Sequence, residues 1–138
     1  MDFKKKLVIA SNQFINYFPN CELPYKILFS AGLPHFSVGW ARCWGRDTFT
    51  CTDILLLSPN IFRETIIQYA SAMRHGLIPN LLDEGRRPRY NCRDACWWFI
   101  RAIGEYIHHT KDYDILKSKV NMIFLSNDIF EHNVLKYQ

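Results

Sequence analysis

The chain has 138 residues, with 49% hydrophobic and 15% aromatic side chains. This composition excludes an intrinsically disordered protein and suits one domain with a buried core. The net charge of +4 is spread along the sequence, and no apolar run approaches the roughly 20 residues of a membrane span, so we expect neither a nucleic-acid nor a membrane partner.

Hydrophobic spacing predicts helices along the chain and no persistent strand. The first helix is expected over 7–18, followed by an irregular linker that prolines and glycines interrupt. A second helix is expected over 48–57. The third has a clear start, because Ser58 can cap it and Pro59 suits the first helical position. We expect this third helix to end at Gly76.

A polar loop over 79–90 leads to a fourth helix, which we expect Asn91 to cap, with Asp94 at its third position. Residues 95–100 are all apolar, which predicts a helix buried on nearly every side. A fifth helix is expected over 115–125. The pattern predicts an all-α fold of about five helices with long loops, since a four-helix bundle normally has shorter connections.

The cysteine pattern favours neither a disulfide framework nor a metal site. The number of cysteines is odd and most lie in apolar patterns, so reduced thiols in the cytosol fit better than disulfides. The five are Cys21, Cys43, Cys51, Cys92 and Cys96. His108 and His109 follow the last two, but no closed four-ligand spacing emerges. We predict no metal, no cofactor and a cytoplasmic location.

The first candidate site is formed by Trp44, Arg46 and Asp47, at the loop that leads into the second helix. A tryptophan can cover the apolar face of a sugar ring, while an ionised carboxylate accepts hydrogen bonds from neighbouring hydroxyls. Arg46 would keep Asp47 charged. The alternative is structural: Asp47 caps the helix, Trp44 lies in the core and Arg46 lies on the surface.

A second candidate site lies at the start of the fourth helix, where an Arg-Asp pair again has tryptophans nearby. Its residues are Tyr90, Asn91, Arg93 and Asp94, followed by Trp97 and Trp98. The helix dipole alone would favour an aspartate here. Two such loop-to-helix junctions on one rim would form a pocket suited to a neutral polyol. The sequence contains no Gly-x-Ser-x-Gly motif, so nothing of this kind indicates a serine nucleophile.

Three segments in the same order closely resemble the C-terminal amylo-α-1,6-glucosidase region of eukaryotic glycogen debranching enzymes. They are GLPHFSVGWARCWGRDTF (32–49), RHGLIPNLLDEG (74–85) and RYNCRDACWWF (89–99). The resemblance implies a partial glucosidase domain over 32–125. A poorly matching helix and linker would precede it over 1–31, and a weakly ordered tail would follow over 126–138.

The resemblance implies an (α/α)6 toroid that hydrolyses α-1,6-linked glucose stubs of glycogen or limit dextrin with inversion. In the full-length family members a 4-α-glucanotransferase activity accompanies it. The first candidate site would line the terminal glucose subsite, and the second would lie nearby. The substrate-binding residues so implied are Trp44, Arg46, Asp47, Tyr90, Asn91, Arg93 and Asp94.

The resemblance also implies that the catalytic pair lies elsewhere. The general acid belongs to a later Thr-Trp-Met-Asp motif and the general base is a glutamate near the family's C-terminus, and neither motif occurs in this sequence. Asp47 and Asp94 are the weak catalytic candidates within the chain. Neighbouring arginines favour their ionised form, whereas a general acid needs a raised pKa.

Such a chain would supply only part of the toroid, so we expect marginal or no folding without the remainder of the debranching-enzyme chain. Two alternatives to an enzyme fragment stay open. One is a catalytically inactive module that binds a glucan or a protein partner. The other is a non-functional truncated product.

Overall fold

The computed structural model describes residues 2–17, 27–29, 43–82 and 88–122. These ranges are mainly helical, with five α-helices as expected, one 3-10 helix and one pair of short strands. In chain order the elements are α1 (Phe3–Asn12), β1 (Ile15–Tyr17), β2 (Ile27–Phe29), α2 (Gly45–Thr50), α3 (Thr52–Leu55), α4 (Pro59–Ser71), α5 (Ala95–Thr110) and a 3-10 helix (Tyr113–Lys117). None of these helices is long and apolar enough to cross a membrane.

The two strands are the main departure from the sequence pattern, which predicts helix and irregular linker here. They pair antiparallel, with Ile15 opposite Phe29. Phe29 is 2% exposed, and its backbone N–H donates to Oγ1 of Thr65 on α4 at 3.3 Å. Strands of three residues are too short to show the alternation of apolar and polar residues that predicts a strand. Their position depends instead on contacts with α4. The prediction of no strand is wrong at this pair.

The first two helices also have different boundaries from those predicted. α1 begins at Phe3 and ends at Asn12, ahead of the predicted 7–18, and none of its residues is buried. The predicted second helix begins earlier, at Gly45, and is broken into α2 and α3. Cys51 separates them with a φ of −90° and a ψ of 39°, which is not helical.

The predicted start of α4 is confirmed, because Ser58 occupies the N-cap position and Pro59 is the first residue, but the Ser58 side chain makes no cap hydrogen bond. The predicted end is not confirmed: α4 stops at Ser71, before Gly76. Gly76 lies in a separate turn next to His75, and both residues have a positive φ, of 78° and 49°. Glycine adopts this left-handed conformation without steric cost, which explains why it resembles a helix terminator in the sequence.

α5 begins at Ala95 with Asp94 as its N-cap, so the predicted cap at Asn91 is wrong. It is also not buried on every side, since Trp97 is 73% and Ile100 60% exposed. Consecutive residues of a helix point in all directions around its axis, so a continuous apolar run occupies every face. The core covers only one of these faces. The predicted fifth helix is replaced at its start by the 3-10 helix, and its residues beyond 122 lie outside the described ranges.

The core lies between α2, α4 and α5, and aromatic rings connect these helices. Phe49 of α2 is fully buried and meets the rings of Tyr69 and Phe99 edge-on, at centroid distances of 4.8 and 5.1 Å. Phe62 of α4 packs in the same way against Tyr106 of α5 at 5.5 Å. The short α2 helix is therefore held by two longer helices at once, which fixes the position of the loop that precedes it.

A polar cluster at the other end of α5 gives a pH-dependent stability. The hydroxyl of Tyr106, at 2.8 Å, and the guanidinium of Arg63, at 3.0 Å, donate to one oxygen of Asp112 and hold the pKa of Asp112 below its usual range. A carboxyl group whose pKa is lower in the folded than in the unfolded state stabilises the fold at a pH above its unfolded pKa. This stabilisation is lost as the pH falls through the folded pKa. We therefore expect acid to weaken the fold below about pH 4.

Replacing Asp112 with asparagine is expected to lower stability at pH 7 and to make its fall toward pH 3 shallower, since the titrating carboxyl is gone. The measurement is the urea midpoint at several pH values, with Asp53→Asn, an exposed aspartate of α3, as the control. The other carboxyls titrate in both variants and cancel from the comparison. An unchanged slope in Asp112→Asn would contradict the assignment.

Candidate functional site

A buried backbone strut joins the two loop-to-helix junctions that the sequence singled out. It consists of residues 79–82, which the sequence pattern assigns to a polar loop. Leu81 forms isolated antiparallel bridges with Trp44 before α2 and with Arg89 before α5. Leu81 and Leu82 are fully buried. The prediction of a polar loop is thus wrong for this half, because apolar side chains anchor it in the core.

Hydrogen bonds from both junctions end on this strut. The N–H of Gly45 donates to the carbonyl of Asn80 at 2.6 Å, and the N–H of Asn80 donates to the carbonyl of Arg89 at 2.7 Å. On the other side the N–H of Leu82 donates to the carbonyl of Cys43 at 3.0 Å. Loops remote in sequence are therefore fixed side by side by main-chain bonds, independently of their exposed side chains.

The side chains of the two junctions meet in an ion pair between Arg46 and Asp94. Nε and Nη2 of Arg46 each donate to Oδ1 of Asp94 at 3.0 Å. Both side chains remain about half exposed, at 52% and 46%. A pair this exposed adds little to stability, so its main physical effect is to fix two charged groups on an open surface. This contact brings together one residue from each candidate site.

Two further donors complete the surroundings of the Asp94 carboxylate. The thiol of Cys92 donates to Oδ1 at 2.6 Å, and the indole N–H of Trp98 donates to Oδ2 at 3.4 Å. The Cys92 thiol, the Arg46 guanidinium and the Trp98 indole hold the pKa of Asp94 below its usual range. Asp94 is therefore ionised at neutral pH. It suits accepting hydrogen bonds, whereas a general acid would need the opposite shift.

Asp47 occupies a different position from the one the sequence predicts. The N-cap of α2 is Trp44, and Asp47 lies in the first turn of the helix. Among the described residues Asp47 makes no ion pair, and Arg46 pairs with Asp94 instead. The predictions that Asp47 caps the helix and that Arg46 holds it charged are therefore wrong. The exposed carboxylate still lies at a helix N-terminus, where a negative charge is favoured.

The other residues of the second site divide into anchored and exposed groups. The hydroxyl of Tyr90 donates to the carbonyl of Ala72, just beyond α4, at 2.6 Å, so this side chain ties the junction to the core. Asn91 is exposed, and its side-chain oxygen accepts a bond from Asn80 at 3.3 Å. Arg93 is also exposed. Tyr90 thus has a visible structural task, whereas Asn91 and Arg93 face solvent.

The sequence pattern missed the residues that support the site from within. Tyr69 on α4 is fully buried, and its hydroxyl donates to the carbonyl of Cys43 at 2.6 Å. Burial raises the pKa of Tyr69 well above its usual range, so it stays a neutral donor. Cys43 itself has a φ of 60°, a conformation that few non-glycine residues adopt. A tyrosine on an apolar helix face is the sequence signal from which a buried polar partner could have been inferred.

The cavity next to Asp47 is too small for a sugar. A cavity of about 10 Å³ lies beside Asp47, Thr48 and Cys51, with apolar side chains from the strand pair and α3 closing it. This space holds one water at most. The described cysteines are free thiols, and no group of three or more metal-binding side chains comes together among the described residues.

Comparison with known proteins supports the family resemblance of the motif segments that contain these two junctions. A family profile described as Amylo-alpha-1,6-glucosidase matches residues 9–134. The chain belongs to the amylo-alpha-1,6-glucosidase family. The Glycogen debranching enzyme of Saccharomyces cerevisiae is 47% identical over 105 residues, which are 73% of this chain. The match covers 7% of the yeast enzyme, so this family member corresponds to a small part of that protein.

Family membership confirms the resemblance that the three motif segments carry. Two of these segments contribute the paired side chains, and the 74–85 segment contributes the whole buried strut. The N-terminal half of the first segment, residues 32–42, and residues 83–87 of the loop lie outside the described ranges. Cys21 and the tail over 126–138 also fall outside them, and the division of the chain at residues 31 and 125 stays a prediction.

Proposed function

We propose that this chain supplies the glucose-binding loops of a cytoplasmic glycoside hydrolase that removes α-1,6-linked glucose from glycogen or limit dextrin. The observation that carries the proposal is the Arg46–Asp94 pair, which joins two loop-to-helix junctions in a member of the amylo-alpha-1,6-glucosidase family. In the complete enzyme these helices would form part of an (α/α)6 toroid. The 4-α-glucanotransferase activity would belong to other parts of the same protein.

The chemistry of these side chains suits binding. The ionised carboxylate of Asp94 accepts hydrogen bonds from sugar hydroxyls, and Arg46 donates to them with the N–H groups that the pair leaves free. The half-buried ring of Trp44 would cover the apolar face of the sugar. Asp47, Asn91 and Arg93 would complete the rim. No cofactor is required for such recognition.

Hydrolysis with inversion needs a proton donor as well as a base. The ionised state of Asp94 makes it a poor donor, and we assign the acid and the base to parts of the longer protein. The same observation favours one alternative for the isolated chain: a glucan-binding module without catalytic activity. The third candidate, a non-functional truncated product, predicts neither folding nor binding.

One experiment separates the three functions. The 138-residue chain is expressed, and its helicity, binding to limit dextrin and release of glucose are measured. A chimera is made in parallel, in which the aligned 105 residues replace their counterpart in the yeast enzyme. We expect glucose release from the chimera and none from the isolated chain. Release by the isolated chain that Asp94→Asn abolishes would contradict the assignment of catalysis to other parts.

Replacing Trp44 with alanine is expected to weaken binding of limit dextrin at least tenfold, because the apolar cover of the sugar is lost (roughly 1.4 kcal/mol). Titration calorimetry of the chain, or the KM of the chimera, measures this effect. The control is Tyr113→Ala, a more exposed aromatic residue beyond the opposite end of α5. Equal losses in both variants would refute a specific contact at Trp44.

A further inference from the structure

Cys92 has the shortest contact with the Asp94 carboxylate, and it lies on the protein side of it. Its side chain belongs to a residue only 5% exposed, whereas Arg46 approaches the same oxygen from a position that is 52% exposed. The thiol donates to Oδ1 at 2.6 Å, and the two guanidinium nitrogens donate to the same oxygen at 3.0 Å. Oδ1 is therefore held between a buried donor and a solvent-facing one.

We propose that Cys92 is a positioning residue, whose thiol fixes the orientation of the Asp94 carboxylate so that Oδ2 stays available to a sugar hydroxyl. The binding role of Asp94 in this inference rests on the proposed function. The orientation of the carboxylate by the thiol does not. Cys92 contacts no substrate itself, because the rest of the junction covers it. It acts through Asp94, and its thiol also faces the Arg46 guanidinium that pairs with Asp94.

The buried donor differs from the other two contacts because solvent hardly reaches it. The Arg46 side chain is long and half exposed, and such pairs exchange readily with water. The indole N–H of Trp98 reaches Oδ2 only at 3.4 Å, so it leaves room for a competing hydroxyl. Cys92 is two residues from Asp94, and a buried donor so close in sequence restricts the carboxylate with little loss of side-chain freedom.

The same contact affects the protonation of Asp94. The groups that face its carboxyl are the Cys92 thiol, the Arg46 guanidinium of α2 and the Trp98 indole of α5, and the Cys92 thiol makes the largest contribution to lowering the pKa. A donor to the charged form favours that form. Removing the thiol should therefore raise the titration midpoint of Asp94, which a purely structural cysteine would leave unchanged.

The test compares Cys92→Ala, Cys92→Ser and Cys96→Ala. Serine keeps a donor at the same position and alanine removes it. Cys96 is the matched control, because its thiol donates to the carbonyl of Gly76 and does not contact Asp94. Carbon-13 NMR of the side-chain carboxyls gives the midpoint of Asp94, assigned by its absence in Asp94→Asn. We expect a higher midpoint in Cys92→Ala and wild-type values in the other two.

Binding of limit dextrin provides the second readout. We expect Cys92→Ala to bind about tenfold more weakly, Cys92→Ser within about threefold of wild type, and Cys96→Ala to be unchanged. In the chimera the loss should fall on KM while kcat is kept, and this arm stays decisive when the isolated chain does not fold. An unchanged midpoint in Cys92→Ala, or equal losses with serine and alanine, would overturn the proposal.

The two readouts separate this inference from the proposed function. A raised Asp94 midpoint in Cys92→Ala supports the positioning contact, whatever the ligand. A raised midpoint with wild-type dextrin affinity would instead contradict the binding role of Asp94, and with it the proposed function.

Discussion

Replacing Phe49 with alanine is expected to destabilise the fold by about 4 kcal/mol, the usual cost of removing a fully buried phenylalanine. The ring is 0% exposed and meets Tyr69 of α4 and Phe99 of α5 edge-on. Its loss would leave a cavity at the point where three helices converge. Because α2 is only six residues long, it has little stability of its own and depends on this contact.

The expected consequence reaches the site. α2 carries Arg46 and Asp47, so a loosened helix would separate Arg46 from Asp94 and remove glucan binding together with stability. Far-UV circular dichroism and urea unfolding measure the first effect, and dextrin binding measures the second. Phe49→Leu should cost about 2 kcal/mol, since leucine keeps an apolar side chain in the core but is smaller than the ring and loses both edge-on contacts. Phe3→Ala, a phenylalanine that is 70% exposed, is the matched control and should have no effect.

A low free energy of unfolding of the isolated chain enlarges the observable difference between the Phe49 and Phe3 variants. If the chain folds alone with only a few kcal/mol, Phe49→Ala should be unfolded without denaturant while Phe3→Ala keeps its helicity. In the chimera the same pair of variants is compared by thermal inactivation. Equal stability of Phe49→Ala and Phe3→Ala in both settings would contradict the assignment of Phe49 to the core.

Local sequence signals predicted those features that depend on neighbouring residues. Ser58 and Pro59 mark the start of α4 correctly, because the fixed proline φ acts within one turn, although the Ser58 side chain makes no cap hydrogen bond. Features that depend on distant contacts were missed. The strand pair requires α4 to receive the N–H of Phe29, and the buried strut requires Leu81 to bridge two junctions that precede different helices. Neither partner is visible from spacing along the chain.

The site shows the same division. Its residue types, a tryptophan and an Arg-Asp pair at each junction, are readable from sequence and led to both junctions. Which charges pair is not readable: adjacent residues 46 and 47 suggested an Arg46–Asp47 pair, but neighbours on a helix point in different directions. Arg46 instead reaches Asp94, 48 residues away in sequence. Pairing was decided by how the strut places the two junctions.

Gly45 is the position where fold and site are most tightly joined, and Gly45→Ala is expected to destabilise the protein by about 3 kcal/mol. A methyl group added there would overlap the carbonyl oxygen of Pro79 and come within 3.2 Å of the Tyr69 ring. The carbonyl belongs to the buried strut and cannot move away, since the neighbouring Asn80 accepts the N–H of Gly45 at 2.6 Å. Only the absence of a side chain permits this approach.

Gly104→Ala provides the opposite expectation within the same chain. Gly104 lies inside α5, and an added methyl group would meet nothing within 4 Å. Alanine should therefore stabilise that helix by about 0.8 kcal/mol. Urea unfolding of the two variants tests the expected loss of stability in Gly45→Ala and the expected gain in Gly104→Ala. Dextrin binding should be lost in Gly45→Ala alone. A Gly45→Ala variant as stable as wild type would show that the strut yields, and the main-chain bonds between the junctions would then not be what holds Arg46 against Asp94.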